Sequence, residues 1–180
     1  SDVALIPVNE PGVASQPLLL NLFGTEARWM PDNTVLVYSP GGPYSEPRVT
    51  RVQPSDPLSI SRIIDLPVLD VRLMDDARLA LLRLPTPYGI GPNSVSVVSI
   101  QPSGGDLRQE TGAVVLTDPA LAPGGNIIAG LMNIRTNGDG PRAGQLVVTD
   151  PARGVVYTVP EAAVAWSLQW GGQDIQIGEW

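Results

Sequence analysis

Residues 164–172, with the sequence VAWSLQWGG, contain the clearest structural signal in the chain. Large apolar side chains alternate with small or polar ones over the first seven positions, which is the period of a β-strand with one buried face. Trp166 and Trp170 lie on the apolar face of that pattern. The two glycines then reverse the chain, and Ile175 and Ile177 continue the alternation. The pattern predicts a β-hairpin whose first strand covers 164–170.

A second hairpin is predicted immediately upstream. Asn126–Ile134 and Gln145–Thr149 are both rich in β-forming residues, and 137–141 between them reads NGDGP. Asn-Gly and Asp-Gly pairs readily adopt the positive φ angles that a hairpin connection requires. We therefore expect these two segments to pair with each other.

Similar short apolar segments, each closed by turn residues, continue back to the start of the chain. They are Val3–Val8, Leu18–Phe23, Thr34–Tyr38, Arg48–Gln53 and Ser94–Gln101, the last expected to be a half-buried strand. The chain contains 19 Gly and 19 Pro, a composition typical of many strands joined by turns. The prediction is a single all-β domain over 1–180, an antiparallel sandwich or barrel of about a dozen short strands with at most one or two short helices.

Two segments show signals of a helix. Residues 75–83 fit either a short N-capped helix or a hairpin with Asp75-Asp76 at its tip. We favour the hairpin, because Pro67 and Pro85 bracket the segment and its neighbours are strands. Further on, Thr158–Glu161 has the spacing of a capping box, which predicts one helical turn before the last hairpin.

One short sequence pattern occurs twice. Residues 114–120, VVLTDPA, resemble residues 146–152, LVVTDPA. An Asp that accepts hydrogen bonds from backbone amides, followed by Pro, commonly ends a strand. Both copies are therefore predicted to be strands that end in a turn, and we favour shared turn chemistry over a duplicated module.

The composition excludes most catalytic designs. The 180 residues contain no Cys and no His, and all 11 basic residues are Arg. The chain therefore has no thiolate nucleophile, no imidazole base, no zinc or iron site of the usual kinds and no lysine for a Schiff base. We predict a non-enzymatic protein without a cofactor or metal ion, although chemistry based on carboxylates alone stays open.

Charge and hydropathy exclude other partners. The net charge of −7 repels the phosphates of nucleic acids, so nucleic-acid binding is not expected. No apolar segment approaches the roughly 20 residues that span a bilayer. No secretion signal is recognisable after Ser1. Because the sequence starts without Met, we expect a processed product or a piece excised from a longer chain.

Carboxylates are the main remaining candidates for acid–base chemistry. Asp70, Asp75 and Asp76 lie close together in sequence, and two carboxyl groups about 5 to 9 Å apart can hydrolyse a glycosidic bond. Asp75-Asp76 is more typical of a helix N-cap or an exposed hairpin tip, and we favour that structural interpretation over catalysis. Asn137 and Asp139 offer oxygen ligands for calcium, but the EF-hand spacing is missing and a plain turn is preferred. No catalytic or metal-ligating residue is therefore assigned.

Aromatic side chains are the best candidates for a contact surface. Trp166 and Trp170 are assigned to the core by the alternation described above. Trp29 and Tyr44 fall in predicted loops, and Trp180 is the last residue. These three are our predicted binding residues, because exposed Trp and Tyr anchor protein partners or stack on sugar rings.

The preferred functional hypothesis is a structural or recognition domain on the outer surface of a viral capsid, presenting a receptor- or partner-binding surface. A Cys-free, acidic β domain suits the outside of a particle better than the interior that holds the genome. The alternatives are a carbohydrate-binding module or carboxylate-only glycosidase, and a bacterial secreted adhesion domain. We expect an extracellular or virion-surface location. We also expect self-association through unpaired strand edges, and a protein or a glycan as the surface partner.

Overall fold

The computed structural model describes residues 2–5, 18–24, 26–42, 45–87, 93–136, 142–150, 153–159, 168–171 and 174–177. Sixteen strands lie in this part of the chain. They are β1 (Asp2–Leu5), β2 (Leu18–Phe23), β3 (Glu26–Trp29), β4 (Val35–Ser39), β5 (Arg48–Gln53), β6 (Asp56–Ile64), β7 (Val68–Leu73), β8 (Leu79–Arg83), β9 (Asn93–Ile100), β10 (Arg108–Gln109), β11 (Val114–Leu121), β12 (Ile128–Thr136), β13 (Arg142–Asp150), β14 (Val155–Thr158), β15 (Leu168–Gly171) and β16 (Asp174–Ile177). All of their pairings are antiparallel, so the predicted all-β class is confirmed.

Two larger sheets dominate the described residues. One has four strands in the order β3-β4-β5-β6, and the other has eight, in the order β14-β13-β12-β11-β9-β8-β7 with β10 added beside β9. The two small sheets are the hairpins β1-β2 and β15-β16. Neither large sheet closes on itself, so of the two predicted architectures the closed barrel does not form.

The two large sheets pack against each other through a front core. Leu36, Tyr38 and Val49 of the four-stranded sheet meet Leu79 and Leu81 of β8, and all of them are buried. Removing such side chains from water contributes about 1.5–3 kcal/mol each. The outer face of the four-stranded sheet holds a smaller cluster of valines, against which Leu22 of β2 packs.

The eight-stranded sheet is apolar on both of its faces. Along β8, Leu79 and Leu81 point into the front core, whereas Ala80 and Leu82 point into a back core formed with residues of β9, β11, β12 and β13. The sheet therefore folds over, and its β11–β13 part covers the back of β8 and β9. This explains why Ser94–Gln101 is more deeply buried than the half-buried strand that was predicted, with Val95 and Val97 in the back core and Val98 in the front core.

Strand β11 makes the corner of this folded sheet. Its residues Val114–Leu116 pair with β9, and from Thr117 onward it pairs with β12. The register shifts between Thr117 and Ala120, where Asp118 has a φ angle of 46°. The prediction that the first TDPA copy ends its strand is wrong, because a bulge here bends the strand without ending it.

The second copy behaves as predicted. Strand β13 ends at Asp150, whose carboxylate accepts a hydrogen bond from the backbone N–H of Arg153 at 3.2 Å. The backbone carbonyl of Asp150 accepts from the same N–H group at 3.2 Å. The same TDPA sequence therefore bends one strand and ends the other. The difference arises because β11 pairs first with β9 and then with β12.

The predicted hairpins form, within the described residues. Strands β7 and β8 pair around the Asp75-Asp76 tip, which confirms the hairpin over the helix. The pairs β12-β13 and β15-β16 are also present, the latter with Trp170 opposite Ile175. Residues 164–167, the Trp166 and Trp170 side chains and most of the predicted helical turn lie outside the described residues. Thr158 is the last residue of β14.

The described residues include no helix long and apolar enough to cross a membrane.

Candidate functional site

Three turns with the same backbone geometry lie together at one end of the two sheets that enclose the front core. Their central residues are Pro31-Asp32-Asn33 (turn 1), Asp75-Asp76-Ala77 (turn 2) and Pro102-Ser103-Gly104 (turn 3). In each turn the third residue has a positive φ angle, at 59°, 62° and 93° respectively. Asn and Gly adopt this conformation easily, whereas Ala does so at a cost of about 1–2 kcal/mol.

Backbone hydrogen bonds close the three turns in the same way. In turn 1, the N–H of Asn33 donates to the carbonyl of Met30 at 3.0 Å and the N–H of Met30 donates to the carbonyl of Thr34 at 2.8 Å. Turn 2 repeats these bonds between Met74, Ala77 and Arg78, at 3.0 and 2.8 Å. This end of the two sheets therefore consists of short turns that are closed by backbone hydrogen bonds and supported by strands. Proteins commonly place binding surfaces on loops held in this way.

A cavity of about 200 Å³ opens between these turns. We call it the loop-end niche. Its lining consists of Met30, Pro31, Asp32, Thr34, Leu36, Arg51, Leu73, Ala77, Leu79 and Pro102. Most of these side chains are apolar, and Leu36 and Leu79 belong to the front core, so the floor of the niche is continuous with the protein interior.

One polar network lies on the wall of the niche. The Asp32 carboxylate accepts hydrogen bonds from the Thr34 hydroxyl at 2.6 Å and the Thr34 N–H at 3.0 Å, and it forms an ion pair with Arg51. The hydrogen bond from the Thr34 hydroxyl is the largest of several effects that together hold the pKa of Asp32 below its ordinary value, although partial burial opposes them. Asp32 is therefore ionised and balanced by Arg51.

A buried arginine connects turn 2 to the residues on either side of turn 3. Arg78 follows turn 2 and donates to the Ser99 hydroxyl at 2.9 Å and to the Asp106 carboxylate at 2.8 Å. It also bonds the backbone carbonyls of Ser99 and Asp106. Hydrogen bonding from Arg108, and then from Arg78, lowers the pKa of Asp106. No sequence signal pointed to Arg78, since a single Arg after a turn is ordinary.

The three predicted carboxylates lie in different surroundings. Asp75 and Asp76 are exposed at turn 2, where the Asp76 carboxylate accepts from the N–H of Arg78 at 3.2 Å. Asp70 is buried, its side chain only 12% exposed. The structure therefore does not bring Asp70 into one solvent-exposed cleft with the other two, as a glycosidase pair would require.

Asp70 is enclosed by hydrogen-bond donors. It accepts from Arg28 of β3 at 3.0 Å, from Arg72 at 3.1–3.2 Å, and from the N–H groups of Val71 at 2.8 Å and Leu121 at 3.4 Å. Burial raises the pKa of Asp70, and the Arg28 charge opposes that shift. Because both carboxylate oxygens already have partners from three strands, this arrangement is that of a structural ion cluster.

Of the three predicted aromatic residues, Trp29 is the one that lies in the described part of the chain. Trp29 lies on the edge strand β3 and not in a loop as predicted, because its segment pairs in register with β4 and places Trp29 opposite Val35. It is 63% exposed. Tyr44 and Trp180 lie outside the described residues, as do Asn137 and Asp139.

Among the residues described, no group of three or more acidic side chains is arranged to hold a metal ion. A comparison of the chain with models of known protein families and with curated protein sequences finds no match.

Proposed function

We propose that this protein is a non-enzymatic recognition domain and that the loop-end niche is its partner-binding surface. The observation that supports the proposal best is the niche itself, a concave apolar site built by three short turns on two packed sheets. Binding sites are typically concave and mainly apolar with a few placed polar groups, and Asp32, Thr34 and Arg51 are such groups here.

The surroundings of the carboxylates support a binding role over catalysis. A catalytic acid or base needs access to substrate, whereas Asp70 bonds to Arg28, Arg72 and two backbone amides. The ionised Asp32 is held by Thr34 and Arg51. A screen of turnover on glycoside substrates is expected to find no activity. Activity that is lost in Asp70→Asn, with folding unchanged, would contradict the proposal.

The proposed location is the outer surface of a virus particle. A chain with a net charge of −7 is repelled by packaged nucleic acid and is suited to face solvent. Antibodies raised against the recombinant domain should label intact particles that carry this chain without permeabilisation, and free domain should compete with those particles for attachment to host cells. Labelling that appears only after the particles are disrupted would refute the outer-surface role.

We further propose that two copies associate through the edge strand β14. In the described part of the chain this strand pairs only with β13, and its sequence VVYT contains no charge to block edge-to-edge pairing. Val156 and Tyr157 are both about 60% exposed. An uncharged edge is also where two acidic chains repel each other least.

Sedimentation velocity over a range of concentrations tests this association. Wild-type protein should form dimers, and Val156→Lys should shift it to monomer by placing two like charges in the contact. Val115→Lys is the matched control, because Val115 is similarly exposed but lies on β11, which is already paired with β9. A wild-type monomer at high concentration, or equal effects of both variants, would overturn the proposal.

A glycan is the second candidate partner, and the exposed Trp29 is the observation that favours it. An exposed indole beside an extended strand offers a flat apolar surface for a sugar ring. A glycan array with wild-type protein and Trp29→Ala separates the two candidates. Binding to specific glycans that Trp29→Ala abolishes would favour the carbohydrate-binding module.

A further inference from the structure

We infer that the loop-end niche binds a basic peptide segment by taking up one large apolar side chain, with acidic groups at its rim holding the flanking positive charges. This inference names the partner chemistry of the proposed recognition domain and therefore rests on that proposal. It follows from the size of the niche, its lining and the charge around its opening.

The volume selects the size of the inserted group. A cavity near 150 Å³ holds a benzene ring, whereas sites for larger organic ligands usually measure about 300–1,000 Å³. At about 200 Å³, the niche matches one Phe, Leu or Met side chain. Its walls of Met30, Leu73 and Pro102 give such a group apolar contacts on several sides.

The polar wall restricts how that group enters. Asp32 and Thr34 bond to each other, and Arg51 bonds to both, so these groups have partners before any ligand arrives. A ligand does not need to satisfy them. An apolar side chain can therefore fill the niche without leaving a buried polar group unpaired.

The rim determines the sign of the partner's charge. Asp75 and Asp76 are exposed in turn 2 directly before Ala77, which lines the niche. Arg51 balances Asp32, and the neighbouring cations Arg78 and Arg108 are offset by Asp106 and Glu110. The two Asp residues of turn 2 therefore leave the opening negative within a chain whose net charge is already −7. Arg or Lys residues on either side of the inserted side chain complement this charge, whereas acidic residues are repelled.

The test uses the whole chain labelled with ¹⁵N and three blocked pentapeptides: Arg-Arg-Phe-Arg-Arg, Arg-Arg-Ala-Arg-Arg and Glu-Glu-Phe-Glu-Glu. The first should perturb amide signals of Met30–Thr34, Leu73–Leu79 and Gln101–Gly105. It should bind at least about fivefold more tightly than the Ala peptide, because burying a large apolar side chain is worth that factor or more. Perturbations confined to other residues, or equal affinity for the Phe and Ala peptides, would overturn the inference.

Charge is tested with a double variant. Asp75→Asn/Asp76→Asn keeps the size of both side chains and should weaken binding of the Phe peptide about three- to tenfold, with a smaller dependence on salt. Glu46→Gln/Asp118→Asn removes two exposed carboxylates that do not line the niche and should leave the affinity within about twofold. Equal losses in both double variants, or tight binding of the Glu peptide, would refute the assigned charge of the partner.

The two proposals fail in different experiments. If the peptides do not bind the niche while free domain still competes with particles for host cells, the niche inference is wrong and the recognition role stands. If the Phe peptide binds as described but intact particles are not labelled, the niche inference stands and the outer-surface role is wrong.

Discussion

Arg28 on β3 donates a hydrogen bond to Asp70 on β7 at 3.0 Å, and this ion pair joins the edges of the two large sheets. Asp70 also accepts from the N–H of Leu121, and Arg72 donates to the carbonyl of the same residue at 3.2 Å. Side chains thus connect edge strand β7 to β11 where no backbone ladder forms. The cluster brings three separate segments of the chain together.

Removing Arg28 is expected to destabilise the protein. Arg28→Met should lower the free energy of unfolding by about 1–3 kcal/mol, because it leaves a buried carboxylate with one fewer cation. The pKa of Asp70, measured by ¹³C NMR, should rise above its wild-type value. Arg153→Met is the control, since Arg153 is highly exposed, pairs with Asp150 only at 3.5 Å, and should change the stability by less than about 0.5 kcal/mol. Equal losses in the two variants would contradict the structural role of the cluster.

Tyr38 should account for most of the stability that the protein loses at alkaline pH. Burial, with the nearby Asp70 charge, raises the pKa of Tyr38 from 10.0 to about 12. Between these values the unfolded chain releases the tyrosine proton while the native state retains it. The free energy of unfolding therefore falls by about 2–3 kcal/mol as the pH rises from 10 to 12. Below pH 10 this contribution to stability is fully present.

The composition of the chain leaves few other side chains that titrate at alkaline pH. The chain has no Lys and no Cys, so tyrosines are the main side chains that titrate in this range. Urea unfolding of wild type and Tyr38→Phe between pH 9 and 12 should show a smaller alkaline loss in the variant. Equal alkaline losses of stability in wild type and Tyr38→Phe would contradict the prediction.

Replacing Ala77 by Gly should stabilise the protein. Ala77 has a φ angle of 62°, which costs an L-residue about 1–2 kcal/mol, whereas Gly adopts it freely. After the greater flexibility of Gly in the unfolded chain is subtracted, a gain of about 0.5–1 kcal/mol is expected in urea unfolding. Ala113→Gly, at an exposed position without a positive φ angle, should give no gain. A loss in Ala77→Gly would show that turn 2 is not strained.

Gly130 should not tolerate a side chain. A Cβ atom there would lie 2.8 Å from the Cβ of Leu116, which is fully buried in the back core. Gly130→Ala is therefore expected to lower the free energy of unfolding by about 1–3 kcal/mol. Gly112→Ala meets no atom within 4 Å and should have little effect, so similar thermal shifts in both variants would argue against the folded-over back core.

Much of the fold was predictable from local patterns. Strand β5 has the predicted bounds Arg48–Gln53, and the hairpins β12-β13 and β15-β16 lie where turn residues separate apolar segments. The 75–83 segment was ambiguous, because its apolar run suits either a helix or a strand buried on both faces. Packing decides it, since Leu79 and Ala80 enter different cores.

The site was less predictable. Trp29 was chosen for its residue type, and its exposure depends on how β3 pairs with β4. The niche was missed because its turns are separated by dozens of residues, although each contains recognisable turn residues. Asp70 was grouped with Asp75 and Asp76 by proximity in sequence, whereas its burial arises from Arg28 and Leu121, which are 42 and 51 positions away.

The sequence by itself determined the all-β class, the three hairpins β7-β8, β12-β13 and β15-β16, and the absence of Cys, His and Lys chemistry, because alternation, turn residues and composition are properties of neighbouring residues or of simple counts. The tertiary structure alone decided that β11 turns a corner at Asp118, that Asp70 is enclosed by arginines and that three turns surround one niche. Each of these depends on which distant strands pack together. Which strands pack together depends on the total apolar surface that the two cores bury, and no single local segment determines that total.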